Sequence, residues 1–193
     1  MDAVAPVREH GGPRPPILAV GTVVWLASEL MFFSGLFAAY FTLRATARGP
    51  WPPAGVELDA RVAGLFTVVL VASSGTIQLG VRAITRGDRR RFRLWLVVTM
   101  LLALVFIGNQ AREWATATFS TSSNPFGSAF YVMTGFHGLH VLGGVVAMLV
   151  LFGRASSPRF GVDDAPSAEV VSYYWHFVDV VWVGLYATLF LLR

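Results

Sequence analysis

Five ionisable side chains lie inside the apolar runs of this 193-residue chain: Glu29, His137, His140, His176 and Asp179. His137 and His140 are three positions apart, as are His176 and Asp179, so on a helix each pair shares one side. Such groups are costly in a membrane, roughly 2.5–3.5 kcal/mol each at mid-depth on insertion scales, and they normally face a protein interior or a polar cavity. Three chemistries use these residue types. Two histidines at this spacing, with a third and a carboxylate, could ligate a metal as zinc and diiron sites do. A chain of acid and imidazole could relay protons. Or the groups could satisfy one another as a hydrogen-bond network that locks helices together. A carboxylate-bridged diiron site wants about four carboxylates and a Glu-x-x-His motif. The chain has no such motif, so no metal is expected. The network is the favoured reading.

Long apolar segments must position these groups. The chain is 55% hydrophobic and 13% charged, with a mean hydropathy of +0.61. A soluble domain carries roughly 25% charged residues, so the composition predicts a helical integral membrane protein. The alternating pattern of a membrane barrel is not seen. There is no cysteine, which removes thiolate-bound metals, iron–sulfur clusters and disulfides. Of the four histidines, His10 lies in the polar N-terminal tail, and the remaining three are too few to hold several haems and a copper. All fifteen basic residues are arginines, distributed as topology signals, so nucleic acid is not an expected partner.

Residues 1–16 are rich in Pro and Gly and read as a flexible cytoplasmic tail. The apolar run that follows, about 27 residues long, exceeds a signal-peptide core of roughly 7–15, so no cleavage is expected. Five spans are predicted: Ile17–Leu43, Arg61–Ala83, Phe92–Ala111, Phe126–Phe152 and Glu169–Leu192. The fold class is therefore all-α, a polytopic bundle of five transmembrane helices over residues 17–193. Glu29, the two histidine positions of span four and the His176/Asp179 pair fall near mid-depth and could share one layer. Ser34/Ala38 and Gly35/Ala39 have the small-xxx-small spacing that favours close helix contact. Trp51, Trp95 and Trp114 read as interfacial anchors. With the N-terminus inside, ten of the fifteen arginines lie on the inner side, six of them between Arg82 and Arg93, which predicts N-in and C-out. That arginine cluster is first a topology determinant and also a contact for anionic lipid heads. There is no Gly-rich phosphate loop or nucleophile elbow, and nothing points to independent catalysis.

Six stretches carry a resemblance: Ser28–Gly35, Trp51-Pro52-Pro53, Arg86-Gly87-Asp88-Arg89, Gln110–Trp114, Gly135–Val141 and Tyr174–Trp182. With them the chain resembles cytochrome c oxidase subunit III, the accessory membrane subunit of haem–copper oxidases. Its five-span length and Lys-free composition resemble the actinobacterial form. The usual member has seven spans, with a V-shaped lipid-filled cleft between the first two and the other five; this chain resembles the last five. The resemblance implies a non-redox subunit of a proton-pumping oxidase of the aerobic respiratory chain, with haem and copper held by partner subunits. It implies structural phospholipids and packing chiefly against subunit I, with subunit II, small accessory subunits and a supercomplex with the cytochrome c reductase as further partners. The expected location is the bacterial plasma membrane, and the expected role is to sustain proton uptake and enzyme lifetime. Glu29 matches the family's intramembrane Glu, associated with carbodiimide reactivity and an oxygen-access route. Arg154 matches a position associated with phospholipid head groups, and Arg86 and Arg89 are further candidates. His137, His140, His176 and Asp179 match interior polar positions. A quinol oxidase subunit III and a nitric oxide reductase-associated homologue are the alternatives; Ser28-Glu29 and Tyr174–Asp179 favour the cytochrome c type. A stand-alone transporter is disfavoured, since inverted repeats and broken helices are not seen.

Overall fold

A computed structural model describes residues 17–192. The expected flexible tail, 1–16, lies outside the described residues, as does Arg193. Five helices follow in order: α1 (Ile17–Thr46), α2 (Ala60–Thr85), α3 (Arg89–Thr116), α4 (Pro125–Arg154) and α5 (Ala165–Tyr186). A 3-10 turn, Val162–Asp164, leads into α5, and a π-helical turn, Ala187–Leu191, closes it. All five are long and apolar enough to cross a membrane, and the described residues contain no strand. The expected all-α bundle of five spans is the observed one.

The helices outrun the expected spans at several ends. α3 runs on through Gln110–Trp114 to Thr116, and α5 begins at Ala165 rather than Glu169. Pro166 does not delay α5, because a proline in the first turn removes only an N–H that has no partner there. Side-chain caps fix three starts. Asp59 accepts from the backbone N–H of Arg61 and Val62, Asp88 from that of Arg91, and Asn124 from that of Gly127; each such cap stabilises by about 1 kcal/mol. The α2–α3 turn closes through Gly87 at φ +77°, where a Cβ would be strained.

α5 is the axis of the bundle and packs against α1, α2 and α4, while α2 and α3 form an antiparallel pair and α3 also meets α4. Its large rings are buried and anchored: Trp175 Nε1 donates to Ser73 Oγ at 2.8 Å and Trp182 Nε1 to Thr67 Oγ1 at 2.9 Å. Gly144 lets α4 close on α5, since a Cβ there would stand 2.6 Å from Trp175 ring atoms. α1 is the loosest element: of its 30 residues only Thr22, Phe33 and Tyr40 are buried.

Ser34, Gly35, Ala38 and Ala39 are exposed, so the expected contact through small residues is not made within the chain. α1 docks instead through Phe33, Phe37 and Tyr40. A helix apolar all round carries no stripe to select a face, and burying aromatic rings gains the most area. Trp51, expected as an interfacial anchor, is partly buried and staples the first loop to the bundle, its Nε1 donating to Tyr40 Oη at 2.9 Å.

The chain alternation sends arginines to two ends. Arg82, Arg86, Arg89, Arg90, Arg91, Arg93, Arg154 and Arg159 gather at one, and Arg44, Arg48, Arg61 and Arg112 at the other. The basic end is joined by Phe92 stacking on Phe160, with ring centroids 5.6 Å apart. At the opposite end Thr118 Oγ1 donates to Gly55 O at 2.8 Å, linking the two loops there.

Candidate functional site

The five intramembrane groups do not join in one hydrogen-bonded network. They divide into three units, a correction to the single interior network expected.

The first unit joins α1 to α4. Glu29 Oε2 lies 3.1 Å from His140 Nε2, with the two side chains 23% and 17% exposed. His140 Nδ1 lies 2.7 Å from Phe136 O. A carbonyl oxygen only accepts, which assigns a proton to Nδ1. The Glu29–Nε2 contact then needs one more proton between the two groups. Either a carboxylic acid donates to a neutral ring, or an imidazolium donates to a carboxylate. Both arrangements are net neutral, which is how the pair tolerates a span. Aromatic rings surround it: Phe33 and Phe32 lie 5.0 and 6.5 Å from the imidazole, and Tyr174 Oη donates to His140 O at 2.8 Å.

The second unit joins α2 to α5. The Ser74 hydroxyl donates to Asp179 Oδ2 in a short hydrogen bond. Ser74 Oγ also lies 2.8 Å from His176 Nδ1. The hydroxyl has one proton; given to Asp179, it leaves the oxygen to accept from His176 Nδ1–H. With that proton on Nδ1, His176 Nε2 accepts from the Ser172 hydroxyl at 3.2 Å, and Gln78 Oε1 lies beside the two, 3.4 Å from Nε2 and 3.5 Å from Ser172 Oγ. Asp179 is buried, and its Oδ1 has no protein partner.

His137 stands alone, 1% exposed. Phe106 meets its ring edge-on at 5.9 Å, and Trp182 lies across it at 5.0 Å. Neither ring nitrogen has a protein hydrogen-bond partner. Three residues along a helix leave about 60° of rotation between side chains. That rotation turns His137 toward α3 and α5 and His140 toward α1. Among the described residues no three His, Asp or Glu side chains converge as a metal-ligand set.

The arginines expected to meet lipid heads also separate. Arg154 Nη2 donates to Asp164 Oδ1 at 2.8 Å and its guanidinium lies 5.8 Å from the Phe160 ring, so it is occupied within the chain. Arg86 is exposed at the end of α2. Arg89 donates to Ser157 O and lines a cavity shared with Arg90 and Arg93. Sequence reasoning missed Ser74, Gln78 and Ser172 as members of the α2–α5 unit. The available signal was spacing: Ser74/Gln78 and Ser172/His176 are both four apart, one face each.

The family profile described as cytochrome c oxidase subunit III matches residues 10–192. The chain belongs to the cytochrome c oxidase subunit III family. It is 49% identical over 189 residues to a probable cytochrome c oxidase subunit 3 of Nocardia farcinica, covering 96% of this chain and 93% of that protein. The Mycobacterium tuberculosis protein of the same description is 48% identical at the same coverage. The cytochrome c oxidase subunit 3 of Corynebacterium diphtheriae is 43% identical over 197 residues, covering 100% of this chain and 96% of that one. As a subunit III, the chain is a multi-pass membrane component of an oxidoreductase complex and assembles with other oxidase subunits.

Proposed function

We propose that this subunit III is the non-redox accessory subunit of a proton-pumping cytochrome c oxidase. It stabilises the catalytic subunit I, holds structural phospholipids and supports proton uptake and oxygen access. Haem and copper belong to the partner subunits, and the arginine-rich end faces the cytoplasm, as the positive-inside rule favours. The observation that carries the reading is the Glu29–His140 pair. It ties the loosest helix, α1, to α4 through one shared proton, in an aromatic setting open to the membrane side. Such a tie holds two ionisable groups in a span without a net charge, and it suits a scaffold better than a redox centre.

The test is Glu29→Gln in the whole oxidase. An amide can still hydrogen-bond to His140, so haem spectra are expected to stay unchanged, while activity is lost faster during sustained turnover. Wholesale loss of haem, or stoichiometric haem on the separated chain, would overturn the reading. Oxidation of quinol in place of cytochrome c by the same complex would reassign it to the quinol oxidase branch.

A further inference from the structure

The arginines of the α2–α3 turn do more than mark topology. Arg89, Arg90 and Arg93 border a cavity of about 760 Å3, whose floor includes Leu94, Val97 and Phe152. The Arg93 guanidinium lies 4.7 Å from the centre of the Phe152 ring, and its Nε is buried with no protein acceptor. Arg89 is pinned to Ser157 O. The one acid at the rim, Asp88, is spent on capping α3 and on Arg91, 3.2 Å away. Three guanidiniums thus border the cavity against a single carboxylate, and that carboxylate is engaged by a fourth arginine, Arg91.

We propose that this cavity seats the phosphate of an anionic phospholipid. The proposal rests on the lipid-binding part of the function above and assigns it a site. Guanidinium forks match phosphate oxygens bidentately. Chemistry of that kind would also bind free phosphate. The floor argues for the lipid: from Val97 the apolar face of α3 continues past Leu94 and Leu101, 57% and 56% exposed, roughly 10 Å along the span. An acyl chain can follow that track, whereas a free anion has no use for it. Arg90 and Arg93 therefore join Arg89 as the head-group residues of this cavity.

Native mass spectrometry of the gently solubilised oxidase tests this, with phosphatidylglycerol, phosphatidylcholine and inorganic phosphate as probes. Two variants separate charge from shape: Arg90→Gln/Arg93→Gln removes two guanidiniums, and Val97→Phe keeps every charge but fills the floor. The wild-type complex is expected to retain one phosphatidylglycerol more than either variant. Its occupancy should fall roughly tenfold or more when two arginines near the surface are lost, and phosphatidylcholine should not replace it. Equal retention of both lipids, or unchanged phosphatidylglycerol in both variants, would overturn the site. Displacement by inorganic phosphate alone would reassign the cavity to a free anion. A complex retaining no phospholipid at all would instead defeat the lipid-binding part of the proposed function.

Discussion

Ser74 has one hydroxyl proton, and both Asp179 and His176 depend on that oxygen. Ser74→Ala leaves a buried carboxylate short of its donor, and an unsatisfied buried group costs about 1–3 kcal/mol. The expected outcome is a lower thermal midpoint for the complex with haem content retained. His137 should behave in the opposite way. Its ring nitrogens have no hydrogen-bond partner in the chain and its ring packs on Phe106 and Trp182, so His137→Phe removes two unpartnered polar atoms at nearly constant shape. The thermal midpoint is expected to hold or rise, and oxidase turnover to stay at the wild-type level; a sharp fall in turnover would show that the ring handles protons. The sequence made all five ionisable residues visible, because an acid or imidazole in an apolar run is conspicuous. Their partners were not visible. Whether His137 meets His140, Trp182 or Glu29 depends on about 60° of helix rotation and on which helix stands there. Ser74 and Ser172 were hidden for a different reason: in a span they read as small residues before they read as polar ones.

Among the elements, α5 is held by three helices, α1, α2 and α4, and α1 by two, α4 and α5, with only three of its residues buried. The α4–α5 contact depends on Gly144, where an added Cβ would press on Trp175 at 2.6 Å and Tyr174 at 3.3 Å. Both rings are themselves fixed, Trp175 by Ser73 and Tyr174 by His140 O. Gly144→Ala is therefore expected to destabilise the bundle by about 1–3 kcal/mol, the usual cost of overpacking. A thermal melt followed by tryptophan fluorescence would measure it. The five helices were legible because each span is a long apolar run bounded by polar or proline-rich segments. The docking face of α1 was not: spacing singled out Ser34, Gly35 and Ala38, while the structure uses Phe33, Phe37 and Tyr40. The start of α5 was also misplaced, since Pro166 reads equally as loop or as first turn.

At the level of the whole molecule, arginine placement predicts the orientation. Eight described arginines stand at one end of the bundle and four at the other. Alkaline phosphatase fused after Leu192 is expected to be active in cells, and fused after Gly87 inactive; the reverse pattern would invert the topology. The same basic end carries the Arg89–Arg90–Arg93 cavity, so the proposed lipid site and the residues that predict orientation overlap. That overlap could not be read from the chain alone, because the cavity closes only when Phe152, at the end of α4, and Phe160, in the loop after it, pack against the start of α3. Membership in the subunit III family makes this chain one part of a larger enzyme, and its central role is testable there. An affinity-tagged copy should be recovered from gently solubilised membranes in fixed ratio with the haem–copper subunits, with cytochrome c oxidation in the eluate and no haem on the separated chain. Recovery of the tagged chain without them, or haem bound stoichiometrically to it alone, would contradict that role.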